Sequence, residues 1–152
     1  MKSINALASI VLATTLTIGV TDSVRAQNMT TTASTTLAAG LPAILEQGNV
    51  RYVSGGVGHD EAKAMRRAAS GWPLSLDFYG PTRDYLADVH VRLEDANGIE
   101  LLQADSRGPY MLLQLQPGSY TVFARYKNKE QKRTIKVSPT GHVNLPFTFD
   151  VQ

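Results

Sequence analysis

From Pro73 onward the chain runs with a period of two. Leu74, Leu76 and Phe78 alternate with Ser75, Asp77 and Tyr79; Val89, Val91 and Leu93 alternate with His90, Arg92 and Glu94. Successive side chains of an extended strand point to opposite faces, so each run describes a strand with one apolar face turned to a core. Further strands are predicted at Ile99–Gln103, Tyr110–Leu115, Tyr120–Tyr126, Arg133–Val137 and Val143–Phe149. Turn residues separate them. Asn97-Gly98 signals a hairpin, because both central positions of the tightest hairpin turn require positive φ. Pro117-Gly118 ends another strand, Asn128 sits between Lys127 and Lys129, and Ser138-Pro139-Thr140-Gly141 precedes the last. Short strands at this spacing predict a mainly β fold, an antiparallel Greek-key β-sandwich.

Before Pro73 the pattern changes. Val50-Arg51-Tyr52-Val53 reads as a short strand, which Ser54-Gly55-Gly56-Val57-Gly58 interrupts. Asp60 to Ala69 is predicted as a helix. Its acids lie in the first turn and its bases near the last, which complements the helix dipole. Gly71 stands where a glycine cap belongs, and Pro73 prevents continuation. Ala62, Met65, Ala68 and Ala69 make a thin apolar stripe, so the helix lies on the surface of something larger. The expected fold therefore carries one short N-terminal α-helix. Residues 48–73 hold the strand, the glycine-rich turn and the helix packed on the domain, and residues 74–152 form the sandwich.

The first 26 residues predict export. Lys2 supplies a positive start, Ile4 to Val20 is almost free of charge, and Val24-Arg25-Ala26 offers small residues where a signal peptidase cuts. A membrane span needs about 20 mostly apolar residues, and this stretch is short, rich in threonine and ended by Asp22 and Arg25. Cleavage after Ala26 would leave a chain beginning at Gln27, periplasmic or secreted, without a membrane span. Residues 27–47 read as a flexible leader, since the run from Gln27 to Gly40 is small and polar and buries too little to offset its ordering entropy. Removing Lys2, Arg25 and Asp22 from the 15 basic and 13 acidic residues leaves a net charge of about +1. That balance argues against a nucleic-acid partner. The chain has no cysteine. Thiolate catalysis, cysteine-bound zinc and a lipoprotein anchor are excluded, and the fold has to hold by core burial alone.

Leu115-Gln116-Pro117-Gly118-Ser119-Tyr120-Thr121-Val122 resembles the Leu-x-Pro-Gly-x-Tyr-x-Val stretch of carboxypeptidase-regulatory-like domains, which are transthyretin-like (prealbumin-like) sandwiches. The resemblance covers about Leu86 to Phe149 and leaves Tyr52 to Trp72 outside that domain. It implies a prealbumin-like sandwich acting as an accessory or folding unit rather than a catalytic one. The enzymes among the transthyretin relatives, the hydroxyisourate hydrolases, end in a Tyr-Arg-Gly-Ser type tail. This chain ends Phe149-Asp150-Val151-Gln152, so their activity is not implied.

No catalytic constellation stands out. Ser54 to Gly58 before a helix could cradle phosphate, but it lacks the Gly-Lys-Ser/Thr ending of a P-loop, and Asp60 and Glu61 put negative charge where the phosphate would sit. His59, His90 and His142 lack the spacing of a zinc site, and neither a Gly-x-Ser-x-Gly elbow nor a Ser-x-x-Lys pair occurs. No catalytic residue, metal or cofactor is expected. The expected role is a non-catalytic exported binding or accessory module of the cell envelope, serving an envelope protein or a small ligand. Pairing of an exposed strand with a partner is the alternative, and a small hydrolase with an unrecognised site comes third. Trp72, Tyr79 and Tyr85, with Tyr110 and Tyr126 also aromatic, are candidates for a surface that takes sugar or peptide, although aromatics equally fill sandwich cores. Lys127, Lys129 and Lys132, with Arg133 and Lys136, cluster at one hairpin. They could touch an anionic surface, or serve to keep an edge strand from pairing. Asn97, Gly98, Pro117 and Gly118 are assigned to turns, with Gly118 expected at positive φ.

Overall fold

The structure, a computed structural model, describes residues 40–150. The expected signal peptide and residues 27–39 of the expected leader lie outside them. The elements run β1 (Leu45–Gln47), β2 (Val50–Gly55), α1 (His59–Ala68), β3 (Leu74–Tyr79), β4 (His90–Asp95), β5 (Glu100–Asp105), β6 (Tyr110–Gln114), β7 (Gly118–Tyr126), β8 (Lys129–Val137) and β9 (Val143–Thr148). They form a five-stranded sheet of order β1-β2-β6-β3-β9 and a four-stranded sheet of order β5-β4-β7-β8. The alternating apolar residues of both sheets meet in one core. Leu74, Leu76, Phe78, Met111, Leu113, Leu145 and Phe147 come from the first sheet; Val91, Leu93, Leu102, Val122, Ala124, Ile135 and Val137 come from the second.

Pairing is antiparallel with one exception that the sequence did not announce. β3 and β9 run parallel, with Leu74 opposite Val143 and Tyr79 opposite Thr148. The chain reaches β9 from the other sheet, so a long connection permits the parallel register that a hairpin forbids.

The helix is not N-terminal. Two strands precede it, and β2 lies inside the five-stranded sheet, paired with β6 from Arg51 opposite Gln114 to Gly55 opposite Tyr110. Tyr52 to Trp72 therefore belongs to the same body as the later strands. Residues 40–47, expected to lie in the leader, are part of the fold as well. Leu45–Gln47 is strand, paired with β2, and Leu41 and Ile44 pack beneath the helix. These apolar residues follow directly on the polar run that suggested a leader.

Helix α1 closes a second, smaller core on the outer face of the five-stranded sheet. Met65 and Ala62 reach down to Val53, Tyr110 and Leu112, and Trp72 packs at the margin. The glycine cap expected at Gly71 is absent. The helix tightens into a 3-10 turn over Ala69–Gly71, where the Trp72 N–H donates to the Ala69 carbonyl at 3.0 Å.

Gly98 takes the positive φ expected of it, whereas Pro117-Gly118 does not close a hairpin but joins β6 of one sheet to β7 of the other. The β4–β5 connection is longer than a two-residue hairpin: Gly98 has φ +79°, Asn97 stays at negative φ, and the register shifts beside Leu93 and Glu94. The Asp95 carboxylate accepts from the Asn97 and Ile99 N–H groups at 2.8 and 2.9 Å, which holds its pKa below the ordinary carboxylate value. Gly118 is instead the extended first residue of β7, opposite Val137, and not at positive φ. The Leu-x-Pro-Gly-x-Tyr stretch is tied by the Tyr120 hydroxyl, which donates to the Gln116 carbonyl at 2.8 Å. The same kind of bond fixes the tyrosine corner of immunoglobulin-type sandwiches.

Two outcomes follow. Gly98→Ala should destabilise by about 1 kcal/mol, because a Cβ is disfavoured in the left-handed region. Gly118→Ala should cost under about 0.5 kcal/mol, since its Cβ would meet the Tyr120 ring at an ordinary 3.6 Å. Urea titration of both variants reads the difference, and the reverse order would contradict the turn geometry. Met65 is fully buried, so Met65→Asp should cost about 3 kcal/mol by stranding a charge under the helix. A loss below about 0.5 kcal/mol would mean that the helix is not docked.

Candidate functional site

The outer face of the five-stranded sheet is only partly covered. Helix α1 lies over β2 and β6. Beside it, β3 and β9 present Ser75, Asp77 and Tyr79 from one strand and Asn144, Pro146 and Thr148 from the other, since these positions alternate with the core residues. This strip gathers the chemistry of the molecule.

At one end stand three tyrosines. Tyr85 lies 5.8 Å, centroid to centroid, from both Tyr79 and Tyr110. It comes from the connection between β3 and β4 and is 60% exposed, so a large aromatic face is open to solvent. The Arg66 guanidinium, from the helix, donates to the Tyr110 hydroxyl at 3.0 Å and stands over the ring at 5.8 Å. That hydrogen bond holds the Arg66 pKa above its ordinary value. Burial pushes the Tyr110 phenol up to about 12, and the Tyr85 hydroxyl adds to the rise. Tyr79 is raised for the same first reason, with the Asp77 carboxylate adding to it. These phenols are neutral at pH 7.

Close approach of backbone positions Tyr110. Gly56 has φ +99°, and a Cβ there would stand 2.3 Å from the Tyr110 ring. A Cβ on Gly108 would meet the Gly55 carbonyl. The glycine-rich stretch thus makes room for a ring. Its one anion contact is internal, for the Glu61 carboxylate accepts from the Gly56 N–H. The chain's own acid takes the place that a phosphate would need.

The loop that carries Tyr85 is bound in place. Leu86 N–H donates to the Phe78 carbonyl at 3.1 Å, Gly80 N–H to the Asp84 carbonyl at 2.7 Å, and Asp88 N–H to the Ser106 carbonyl at 2.8 Å. Arg83 (φ 64°) and Asp88 (φ 58°) are held in the left-handed region. Such strain persists where surrounding contacts over-determine a conformation, and it clusters at ligand sites.

At the other end is a hydrogen-bonded polar group. Asn144 donates to the Ser75 hydroxyl at 2.9 Å and to the Asp77 carboxylate at 2.8 Å. His142 Nδ1 lies 2.7 Å from the Trp72 carbonyl and its Nε2 lies 3.4 Å from the Ser75 hydroxyl. A carbonyl only accepts, so Nδ1 carries the proton and Nε2 accepts from Ser75. The order hydroxyl, imidazole, orienting acceptor is that of a nucleophile and its base. Yet Ser75 is 1% exposed, which leaves its oxygen no surface to offer a substrate. The arrangement ties β9 to β3.

Of the sequence candidates, Tyr79 and Tyr85 come together here. Trp72 does not join them; it is half-buried at the margin of the helix-side core. Lys127, Lys129 and Lys132 belong to the other sheet. Lys127 turns the β7–β8 hairpin at φ 50°, Lys129 is exposed on β8, and Lys132 lies 5.3 Å from the Phe123 ring centre, which Arg92 also approaches at 3.8 Å. Arg66, Asp77 and Asn144 were not singled out. Arg66 read as an ordinary dipole-complementing base. Asp77 and Asn144 meet only through the parallel β3–β9 pairing, across 67 residues.

Each sheet edge is blunted against strand addition. β1 has three residues; on β5 the Gln103 N–H is taken by the Gln47 side chain at 3.1 Å. Lys129, Lys132 and Lys136 line β8, and on β9 Pro146 brings no N–H while the Thr148 carbonyl accepts from Gln131. Among the described residues, no group of three histidine or acidic side chains is placed to hold a metal, and no helix is long and apolar enough to cross a membrane. The chain matches no model of a known protein family, and no curated protein is significantly similar to it.

Burial, against the Asn144 amide and His142, holds the Asp77 carboxyl above its ordinary pKa. A group raised in the fold keeps its proton where the unfolded chain has lost it, so stability falls as pH rises through that window. Asp77→Asn removes the ionisation and leaves an acceptor for Asn144. Its melting temperature should exceed the parent's at pH 7, and the gain should vanish below about pH 3, where the Asp77 carboxyl of the parent is protonated in both the folded and the unfolded chain. Equal melting at pH 7 would show that the carboxylate pays no desolvation penalty.

Proposed function

We propose that this protein is an exported, non-catalytic binding or accessory module of the cell envelope, and that the strip around Tyr85 is its binding surface. The observation that carries the reading is the exposed Tyr85 ring, fixed between Tyr79 and Tyr110 on a strained, hydrogen-bonded loop. A buried tyrosine cluster would serve stability; one whose central ring is mostly exposed leaves apolar area open for contact. The charged and polar groups around it, Arg66, Asp77 and Asn144, supply directional bonds of the kind that orient a ligand. The closed surface over Ser75 favours binding over turnover there. The blunted sheet edges favour a side-chain surface over strand pairing.

The export part of the reading rests on Lys2, the Ile4–Val20 stretch and Val24-Arg25-Ala26. The prealbumin-like Greek-key assignment rests on the Leu115–Val122 stretch together with two face-to-face sheets and the tyrosine that ties its own turn. In such a module Pro117 and Gly118 shape the scaffold, and Lys127, Lys129 and Lys132 guard the β8 edge.

Two measurements test the reading. The intact mass of protein recovered from the envelope fraction should correspond to a chain starting at Gln27; a product still beginning at Met1 contradicts export with cleavage. The purified mature protein should cosediment with isolated envelope material. Tyr85→Ala should lose most of that retention with little change in melting temperature, while Lys129→Ala/Lys132→Ala keeps it. Retention unchanged in Tyr85→Ala would remove the tyrosine strip as the binding surface.

A further inference from the structure

We infer that the tyrosine strip takes a neutral sugar ring, with its flat face on Tyr85 and its hydroxyls on Asp77 and Asn144. The inference rests on the binding-surface reading above and names the ligand class of that surface. It begins with what the strip offers. Tyr85 is mostly exposed, and Tyr79 and Tyr110 flank its ring at 5.8 Å. A pyranose ring has an apolar C–H face that packs on such a ring and an equatorial belt of hydroxyls that must be satisfied at its rim. A carboxylate beside an amide oxygen meets that need, because each accepts from a hydroxyl; the Asn144 N–H groups are already given to Ser75 and Asp77. Asp77 and Asn144 are such a pair, joined at 2.8 Å on adjacent strands. Asp77 lies two residues from Tyr79 on the same face of β3. Same-face neighbours on a strand stand roughly 7 Å apart, and Tyr85 lies a further 5.8 Å from Tyr79. The Asp77 carboxylate also acts on the Tyr79 phenol, so the two ends of the strip are electrostatic neighbours.

Charge decides against other ligands. Three aromatic rings near a carboxylate suit a quaternary ammonium. Here the Arg66 guanidinium already stands over Tyr110, and Arg83 acts on Tyr79 from the loop, so a ligand cation meets two like charges. An anion would find those arginines but would face Asp77. A ligand without net charge meets neither repulsion and uses both kinds of group as hydrogen-bond partners. The loop geometry favours the same conclusion. Sugar binding returns little free energy per contact, so the platform has to be fixed before the ligand arrives. Arg83 and Asp88 at positive φ, with the backbone bonds at Gly80, Leu86 and Asp88, fix it.

The experiment uses the mature full chain, labelled with nitrogen-15, and reads amide shifts on addition of cellotetraose, chitotetraose or maltotetraose. Choline, inorganic phosphate and a neutral tetrapeptide serve as comparison probes. At least one neutral tetrasaccharide should shift the amides of Tyr79, Tyr85 and Asn144 saturably. Tyr85→Ala should weaken that binding by about tenfold or more. Asp77→Asn should weaken it several-fold while melting no lower than the parent at pH 7, a combination that a purely structural role for Asp77 would not give. Binding of choline, phosphate or the peptide at these amides, lost in Tyr85→Ala and without any saccharide response, would overturn the sugar assignment and leave the binding surface standing. Shifts confined to other regions, or no response to any probe, would overturn both.

Discussion

β6 has to satisfy two cores at once, and the rest of the molecule is arranged around that requirement. Tyr110, Met111, Leu112 and Leu113 are all buried. Met111 and Leu113 face the other sheet, whereas Tyr110 and Leu112 face the helix. A strand between two layers cannot keep a polar side, so its neighbours must supply cover on both. The second sheet does so on one face. On the other, α1 brings Ala62 and Met65, and the segment before β1 brings Leu41 and Ile44. The chain has no cysteines to cross-link it, so this double burial carries stability that small domains elsewhere take partly from disulfides.

The cover is narrower than the sheet, and the candidate site lies in the part left over. α1 has ten residues and spans β2 and β6. β3 and β9 lie beyond it, and apart from Pro146 their outward side chains are polar or aromatic with a polar tip. Tyr110 marks the boundary. Its ring belongs to the helix-side core, its hydroxyl reaches Arg66, and its edge meets Tyr85. Gly56 gives the ring its space at the cost of backbone freedom, and Glu61 closes the loop by accepting from the Gly56 N–H. A single aromatic side chain thereby connects the packing of the helix to the exposed face of Tyr85.

The polar group on β3 and β9 has a structural share as well. Asn144 bridges Ser75 and Asp77, and His142 links Ser75 to the Trp72 carbonyl. These bonds hold the one parallel pairing of the fold at its open margin. Asp77 is the least favourable member, since its carboxylate is partly desolvated with one hydrogen-bond donor at hand. Groups kept at some expense to stability are the ones to examine for binding.

Much of the architecture was legible in the sequence, for a local reason. Alternation at Leu74–Tyr79, at Val89–Glu94 and along the later strands is enforced by the pleat, and dipole-matched charges with a thin apolar stripe define a helix wherever they occur. Asn97-Gly98 and Pro117-Gly118 marked turns because few residues suit such backbones, although which glycine needed positive φ depended on loop length and register. The absence of cysteine and of a hydrolase or P-loop motif bounded the chemistry in the same local way. Tertiary structure alone decided the rest. It placed β2 inside the sheet, turned β9 parallel to β3, separated Trp72 and the lysines from Tyr79 and Tyr85, and joined Arg66, Asp77 and Asn144 to them. Those are relations between residues tens of positions apart. No local propensity encodes them, because strand order and register are set only when two faces of one sheet find their cover.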